Sequence, residues 1–166
     1  AATAVYAENR LCCLVMGTND LIKESRARAL HDRFAVVPWL AMTLVAARAY
    51  RLDIIDGVYN DFRDEKGLRD ECERGRTLGM DGKTLIHPSQ VGPCNEIFSP
   101  TQEEVDWARK VIDAFGHPEN EKKGVIVVEG RMVERLHFAM AQRTVTIAEQ
   151  IRAMETELPQ AMPLRA

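Results

Sequence analysis

The stretch Gly79-Met80-Asp81-Gly82-Lys83-Thr84-Leu85-Ile86-His87-Pro88-Ser89-Gln90 is the most structured signal in the chain. A glycine-rich turn leads into the short apolar run Thr84 to Ile86, which stops at His87-Pro88. Proline cannot donate to a ladder and biases the residue before it toward an extended backbone. The segment therefore predicts a buried strand that delivers polar groups at its C-terminal end, where α/β proteins hold ligands. Gly79 to Thr84 also echoes a phosphate loop, but two residues separate Gly79 from Gly82-Lys83-Thr84 where the Walker pattern needs four. That spacing excludes an ATP site of this kind.

Upstream, Leu11-Cys12-Cys13-Leu14-Val15-Met16 is a continuous apolar run, expected as a strand covered on both faces and ended by the polar turn Gly17-Thr18-Asn19-Asp20. A charged helix is expected from Leu21 to about Leu30. Another opens near Pro38, with Trp39, Leu40, Leu44 and Ala47 on one face up to about Tyr50. Asp53-Ile54-Ile55-Asp56 is a second short strand broken by Gly57, and Glu65 to Leu78 is a helix stopped by Gly79. Strand, helix, strand, helix, strand is the order of a parallel α/β sheet or barrel. Three strands fall short of the roughly eight that close a barrel, so either more strands are expected before Ala1, which reads as the tail of a helix, or another chain completes the sheet; the first is the favoured expectation.

Downstream the order changes. Ser99-Pro100-Thr101 opens a helix with Thr101 and Glu104 as a capping box and Val105, Ala108, Val111, Ile112 and Phe115 as its stripe. Gly124 to Gly130 is expected as a short strand or extended arm. One long amphipathic helix follows, with Val133, Leu136, Met140, Thr144, Ile147 and Ile151 on one face and a loose tail from Pro159. The division expected is residues 1–98 and residues 99–166.

The 166 residues, 46% hydrophobic with a net charge of -3, are ordinary for a globular protein and lack the basic excess of a nucleic-acid binder. No apolar run approaches the roughly 20 residues of a membrane span. Ala1-Ala2-Thr3-Ala4-Val5 lacks a charged leader, so a cytoplasmic location is expected. Cys12, Cys13, Cys72 and Cys94 form no Cys-x-x-Cys pair and are expected to be buried and reduced.

Asp20 ends the first strand, where a carboxylate is a candidate magnesium ligand because hard cations want oxygen donors. An Asx turn or helix cap also suits it. Asp56 and Asp61 flank the second strand end, where solvation in a loop is the simpler account. His87 can bond a ligand or serve as a structural hydrogen-bonder. Lys83 reads as a loop cation rather than a Schiff-base lysine, and Asp32-Arg33 as part of a solvated face.

Gly17-Thr18-Asn19-Asp20-Leu21, Asp56-Gly57-Val58 and Gly79 to Gln90, in this order, resemble the second half of the citrate lyase β-subunit-like family. This is the HpcH/HpaI aldolase superfamily of CoA-ester lyases. The likeness continues through Asn95-Glu96-Ile97-Phe98-Ser99-Pro100 and Gly130-Arg131-Met132-Val133-Glu134. It implies the C-terminal part, about strands six to eight, of a (β/α)8 TIM barrel with a C-terminal helical extension, assembled as a homo-oligomeric trimer or hexamer. Asp20 matches the family's magnesium-binding aspartate; its partner glutamate and an enolate-stabilising arginine belong to earlier strands and have no match here. Glu134 stands where several members offer an aspartate from the extension, which reaches a neighbouring subunit. The extra methylene moves the carboxyl by about an ångström, enough to matter for an acid/base.

The resemblance implies a magnesium-dependent lyase that cleaves a 3-hydroxyacyl-CoA such as malyl-, citramalyl- or citryl-CoA into a 2-oxo acid and an acyl-CoA. Asp56, Gly57, Val58, His87 and Pro88 would lie along the thioester arm. Two alternatives stand beside it: a malyl-CoA thioesterase on the same site, and a non-catalytic module, either a CoA-ester-binding or scaffolding subunit or a half-barrel inert by itself.

Overall fold

The structure, a computed structural model, describes residues 11–28 and 32–157. The expected helix tail at Ala1 and the tail from Pro159 lie outside them, whereas the helix expected from Leu21 to about Leu30 runs from Thr18 to Ser25 and is stopped by Arg26 in a left-handed conformation at φ 57°. The chain forms two compact units, residues 1–98 and 99–166.

In the first unit three parallel strands, β1 (Cys13–Val15), β2 (Asp53–Asp56) and β3 (Gly82–Lys83), lie in the order β1-β2-β3. Helices α1 (Thr18–Ser25) and α2 (Val37–Ala49) connect the first two strands, and α3 (Glu65–Leu78) connects the second to the third. A single 3-10 turn at Pro88–Gln90 runs into α4 (Val91–Phe98). Leu40 of α2 and Ile54 of β2 are buried among Met16, Val36, Leu52 and Met80, each stabilising by about 1.5–3 kcal/mol relative to exposure. A second cluster joins Leu68 and Cys72 of α3 to Cys94 and Ile97 of α4. Gly79, at φ +107°, closes α3 with N–H bonds from Gly79 and Met80 to the Gly75 carbonyl, a left-handed turn that a Cβ would strain.

Several expectations are corrected. β1 is shorter than Leu11–Met16, and among the described residues it pairs with β2 alone, with Cys12 exposed and Val15 62% exposed. The third strand takes Gly82-Lys83 and not Thr84–Ile86. After Thr84 N–H reaches the Asp56 carbonyl the chain leaves the sheet, because the Gln90 side chain captures the Ile86 N–H in place of a neighbouring strand. Gly92 and Pro93 hid α4, yet a proline in a first turn removes only an N–H that has no helical acceptor.

The second unit pairs α5 (Gln102–Gly116) with α6 (Arg135–Glu157) around a hairpin of β4 (Val125–Val128) and β5 (Arg131–Glu134). The Thr101–Glu104 capping box is present. β5 replaces the expected first turn of the long helix: Glu129 and Gly130, both at positive φ, make a two-residue hairpin turn. Val133 is thus a buried strand residue, while Leu136 and Met140 of the expected stripe are exposed. The helix packs instead through Ala141, Phe138 and Val145.

Candidate functional site

In the first unit the turns after β1 and β2 border a cleft of about 480 Å3, with Thr18 and Asn19 on one wall and Val58, Tyr59 and Asn60 on the other. The two turns are tied together. Asn19 and Asn60 exchange amide hydrogen bonds of 3.0 and 2.9 Å. Gly57 lies so close to Thr18 that a Cβ on it would fall 2.2 Å from the Thr18 hydroxyl oxygen.

Beneath the cleft lies a buried ionic network that local sequence reasoning placed in solvent. Asp56 is fully buried and receives both guanidinium arms of Arg33, at 2.7 and 2.6 Å. Lys83, whose side chain is wholly inaccessible, donates to Asp56 (3.2 Å), to Glu71 and to the Gly57 carbonyl (2.6 Å). Arg33 Nε lies 3.4 Å from Glu71. Two cations thus face two carboxylates, a neutral balance that burial demands. Burial alone would raise the Asp56 pKa, but the Arg33 hydrogen bonds, the Lys83 and Arg33 charges and the Gly57 N–H outweigh it and hold the carboxyl below its ordinary value. Neither Lys83 nor Arg33 behaves as a solvated charge, and Asp56 is not solvated in a loop; Asp32, as expected, is exposed. Only an alignment of partners 23 to 27 residues apart could have exposed this.

Asp20 sits in the first turn of α1, where it suits the helix dipole, and makes no cap bond. It is exposed, and its Oδ2 lies 3.4 Å from where a Cβ on Gly17 would stand, so the carboxylate folds back over the strand-end turn. An exposed carboxylate at a strand end fits magnesium in the mode that uses one or two protein carboxylates, waters and substrate oxygens. No group of three or more His, Cys, Asp or Glu that could hold a metal occurs among the described residues. The Asp56 carboxylate is engaged inward, whereas Val58 lines the cleft. Gly57 joins the two through its carbonyl bond to Lys83.

His87 stacks on Phe62 at 4.6 Å and its Nδ1 accepts the Ser89 N–H, so the ring organises its own turn, with Pro88 opening the 3-10 turn. Sequence reasoning passed over Tyr59 and Gln90. The Tyr59 hydroxyl donates to Asp64 at 2.7 Å; burial, that bond and the Asp64 charge push the phenol up to about 12. Gln90, 1% exposed, donates to the Tyr59 carbonyl at 3.0 Å. Glu134, in the second unit, ends β5 half-buried, and its N–H donates to Nδ1 of His137 at 2.9 Å. Among the described residues no helix is long and apolar enough to cross a membrane.

Comparison with known proteins gives these sites a context. The family described as HpcH/HpaI aldolase/citrate lyase matches residues 1–88. The chain is 51% identical over 152 residues to a (3S)-malyl-CoA thioesterase of Cereibacter sphaeroides, covering 92% of this chain and 53% of that protein. It is 34% identical over 142 residues to the mitochondrial citramalyl-CoA lyase of Homo sapiens, covering 86% and 42%. Among solved structures it resembles the protein CitE from Mycobacterium tuberculosis in complex with magnesium, acetoacetate and coenzyme A. That match has a TM-score of 0.67 at 27% identity, over 81% of this chain and 51% of CitE. The chain spans about half the length of the curated relatives it matches.

Proposed function

This chain belongs to the HpcH/HpaI aldolase/citrate lyase family, and from that premise we propose that it forms about strands six to eight of a (β/α)8 barrel, with a helical extension, in a magnesium-dependent enzyme acting on malyl-CoA-type 3-hydroxyacyl-CoA thioesters. Thioester hydrolysis is the first reading. What carries it is the 51% identity to a malyl-CoA thioesterase along nearly the whole chain, through both cleft-lining turns. Carbon–carbon cleavage to a 2-oxo acid, the leading expectation from sequence, becomes the second reading, supported by the 34% identical citramalyl-CoA lyase.

Asp20 is the residue proposed to hold magnesium, which would supply Lewis-acid polarisation of the hydroxyl and carboxylate oxygens of the acyl group. The Asn19–Asn60 pair and the Gly57–Thr18 contact fix the turn that carries Asp20. The 57–60 loop lies along the thioester arm, with His87 and Pro88 ordering the adjoining turn. Glu134 is proposed as the acid/base, offered by the extension to the site of a neighbouring copy in a homo-oligomer. In hydrolysis a water oxygen bonds the acyl carbon as the carbon–sulfur bond breaks, and coenzyme A leaves as a thiolate that takes up a proton.

The test uses the full-length protein with malyl-CoA and citramalyl-CoA, measuring free thiol and 2-oxo acid separately. Hydrolysis releases thiol without 2-oxo acid, and cleavage releases 2-oxo acid without thiol. Asp20→Ala should lower magnesium-dependent turnover about a hundredfold or more. Retained turnover sinks Asp20 as the ligand, and absence of both products from the wild type favours a non-catalytic CoA-ester-binding subunit.

A further inference from the structure

The two buried polar side chains of the Gly79–Gln90 stretch converge on one short piece of backbone. Lys83 donates to the Gly57 carbonyl at 2.6 Å and Gln90 donates to the Tyr59 carbonyl at 3.0 Å. Both donors are buried, and both come from the β3 side of β2. The peptide bonds here are trans. In a planar trans peptide the N–H opposes the C=O, so the N–H groups of Val58 and Asn60 point away from Lys83 and Gln90. Val58 and Asn60 themselves line the cleft, together with Thr18 and Asn19 of the turn after β1. Among the described residues neither N–H has an acceptor.

We propose that the Val58 and Asn60 N–H groups form a backbone binding edge for two successive carbonyl oxygens of an extended amide-bearing chain, here the pantetheine arm of the acyl-CoA, with Lys83 and Gln90 as the positioning residues that set it. Donors two residues apart on an extended backbone stand roughly 7 Å from each other, a spacing suited to successive carbonyls on a linear arm. Recognition of extended chains through main-chain bonds follows the same logic at sheet edges. In this arrangement the Gly79–Gln90 stretch orients the donors without touching the ligand. This deepens the acyl-CoA reading above and rests on it.

Two measurements on the full-length protein test the edge. The first is amide hydrogen exchange resolved to single residues, with and without saturating coenzyme A. Val58 and Asn60 should exchange about tenfold or more slowly in the complex. If coenzyme A binds saturably and protects other amides but not these two, the edge is wrong while the acyl-CoA reading stands. If coenzyme A does not bind at all, the acyl-CoA reading falls and the edge with it. The second uses Gln90→Glu, which keeps an acceptor for the Ile86 N–H but loses the donor to Tyr59. The KM for the acyl-CoA should rise about tenfold with kcat within about twofold. A fall in kcat at constant KM would refute a positioning role for Gln90. The exchange measurement is made on the wild type, so it decides the question even if the variant folds poorly.

Discussion

Lys83→Met isolates what the buried ionic network contributes. The substitution keeps much of the apolar stem and deletes one of two cations facing two carboxylates. Arg33 alone is left against Asp56 and Glu71, so one buried negative charge loses its partner. Breaking a buried pair in this way costs about 3–5 kcal/mol. Glu71 borders the cleft, with 11% of its side chain accessible, so water can partly re-solvate it and the expected loss lies near 3 kcal/mol. Against the roughly 5–15 kcal/mol that holds a domain folded this is a large fraction. It should move the urea midpoint down by about 1–3 M, given slopes of about 1–3 kcal/mol per molar. Lys83→Met combined with Glu71→Gln restores the charge balance and should recover more than half of the loss. Both are read by urea unfolding at neutral pH. A loss below about 1 kcal/mol in the single variant, or a double variant no more stable than the single, would refute the argument that charge balance holds this site together. In the wild type the depressed Asp56 pKa gives the sign with pH: its stabilisation is complete above the ordinary carboxyl range and is lost as pH falls through the lower, folded-state value.

Other outcomes follow from single contacts. Tyr59 should titrate near pH 12, as a late rise in phenolate absorbance that Tyr59→Phe removes. Because its folded pKa lies above the ordinary 10, the stability tied to it is intact below that value and declines as pH rises from 10 to about 12. In the native protein Cys12 should react first with a thiol reagent, while Cys72 and Cys94 react only on unfolding. Fast native labelling of Cys94 would contradict its burial beside Cys72. Glu134→Gln should lower kcat by roughly 10²-fold or more if Glu134 moves a proton in the reaction, and an unchanged kcat removes it from the mechanism.

The alternation of strands and helices, the left-handed stop at Gly79 and the Thr101–Glu104 capping box were legible because each depends on residues within a few positions of one another. So was Glu65–Leu78, whose bounds coincide with α3. The hairpin escaped because Val133, Leu136 and Met140 happen to recur at helical spacing while Glu129-Gly130 turns the chain back. The site's foundation escaped for a different reason. Asp, Arg, Glu and Lys read as solvent-seeking one at a time, and only their mutual neutralisation across two crossovers makes them a core. The Gly79–Gln90 stretch does carry a strand, but two residues earlier than its apolar run suggests. That run, Thr84 to Ile86, is where the chain turns so that Gln90 can reach inward.

That network has a bearing on the time scale of unfolding as well. Arg33 and Asp56 are 23 residues apart, and Lys83 and Asp56 are 27, so the four charges meet only after both parallel crossovers have closed. Contacts between distant segments come late, because loop closure precedes them. Interactions absent from the transition state act on the rate of unfolding and leave the rate of folding nearly unchanged. The buried charges therefore work as a latch: Lys83→Met should shorten the lifetime of the native state about a hundredfold, the equivalent of about 3 kcal/mol, while refolding proceeds at close to its usual speed.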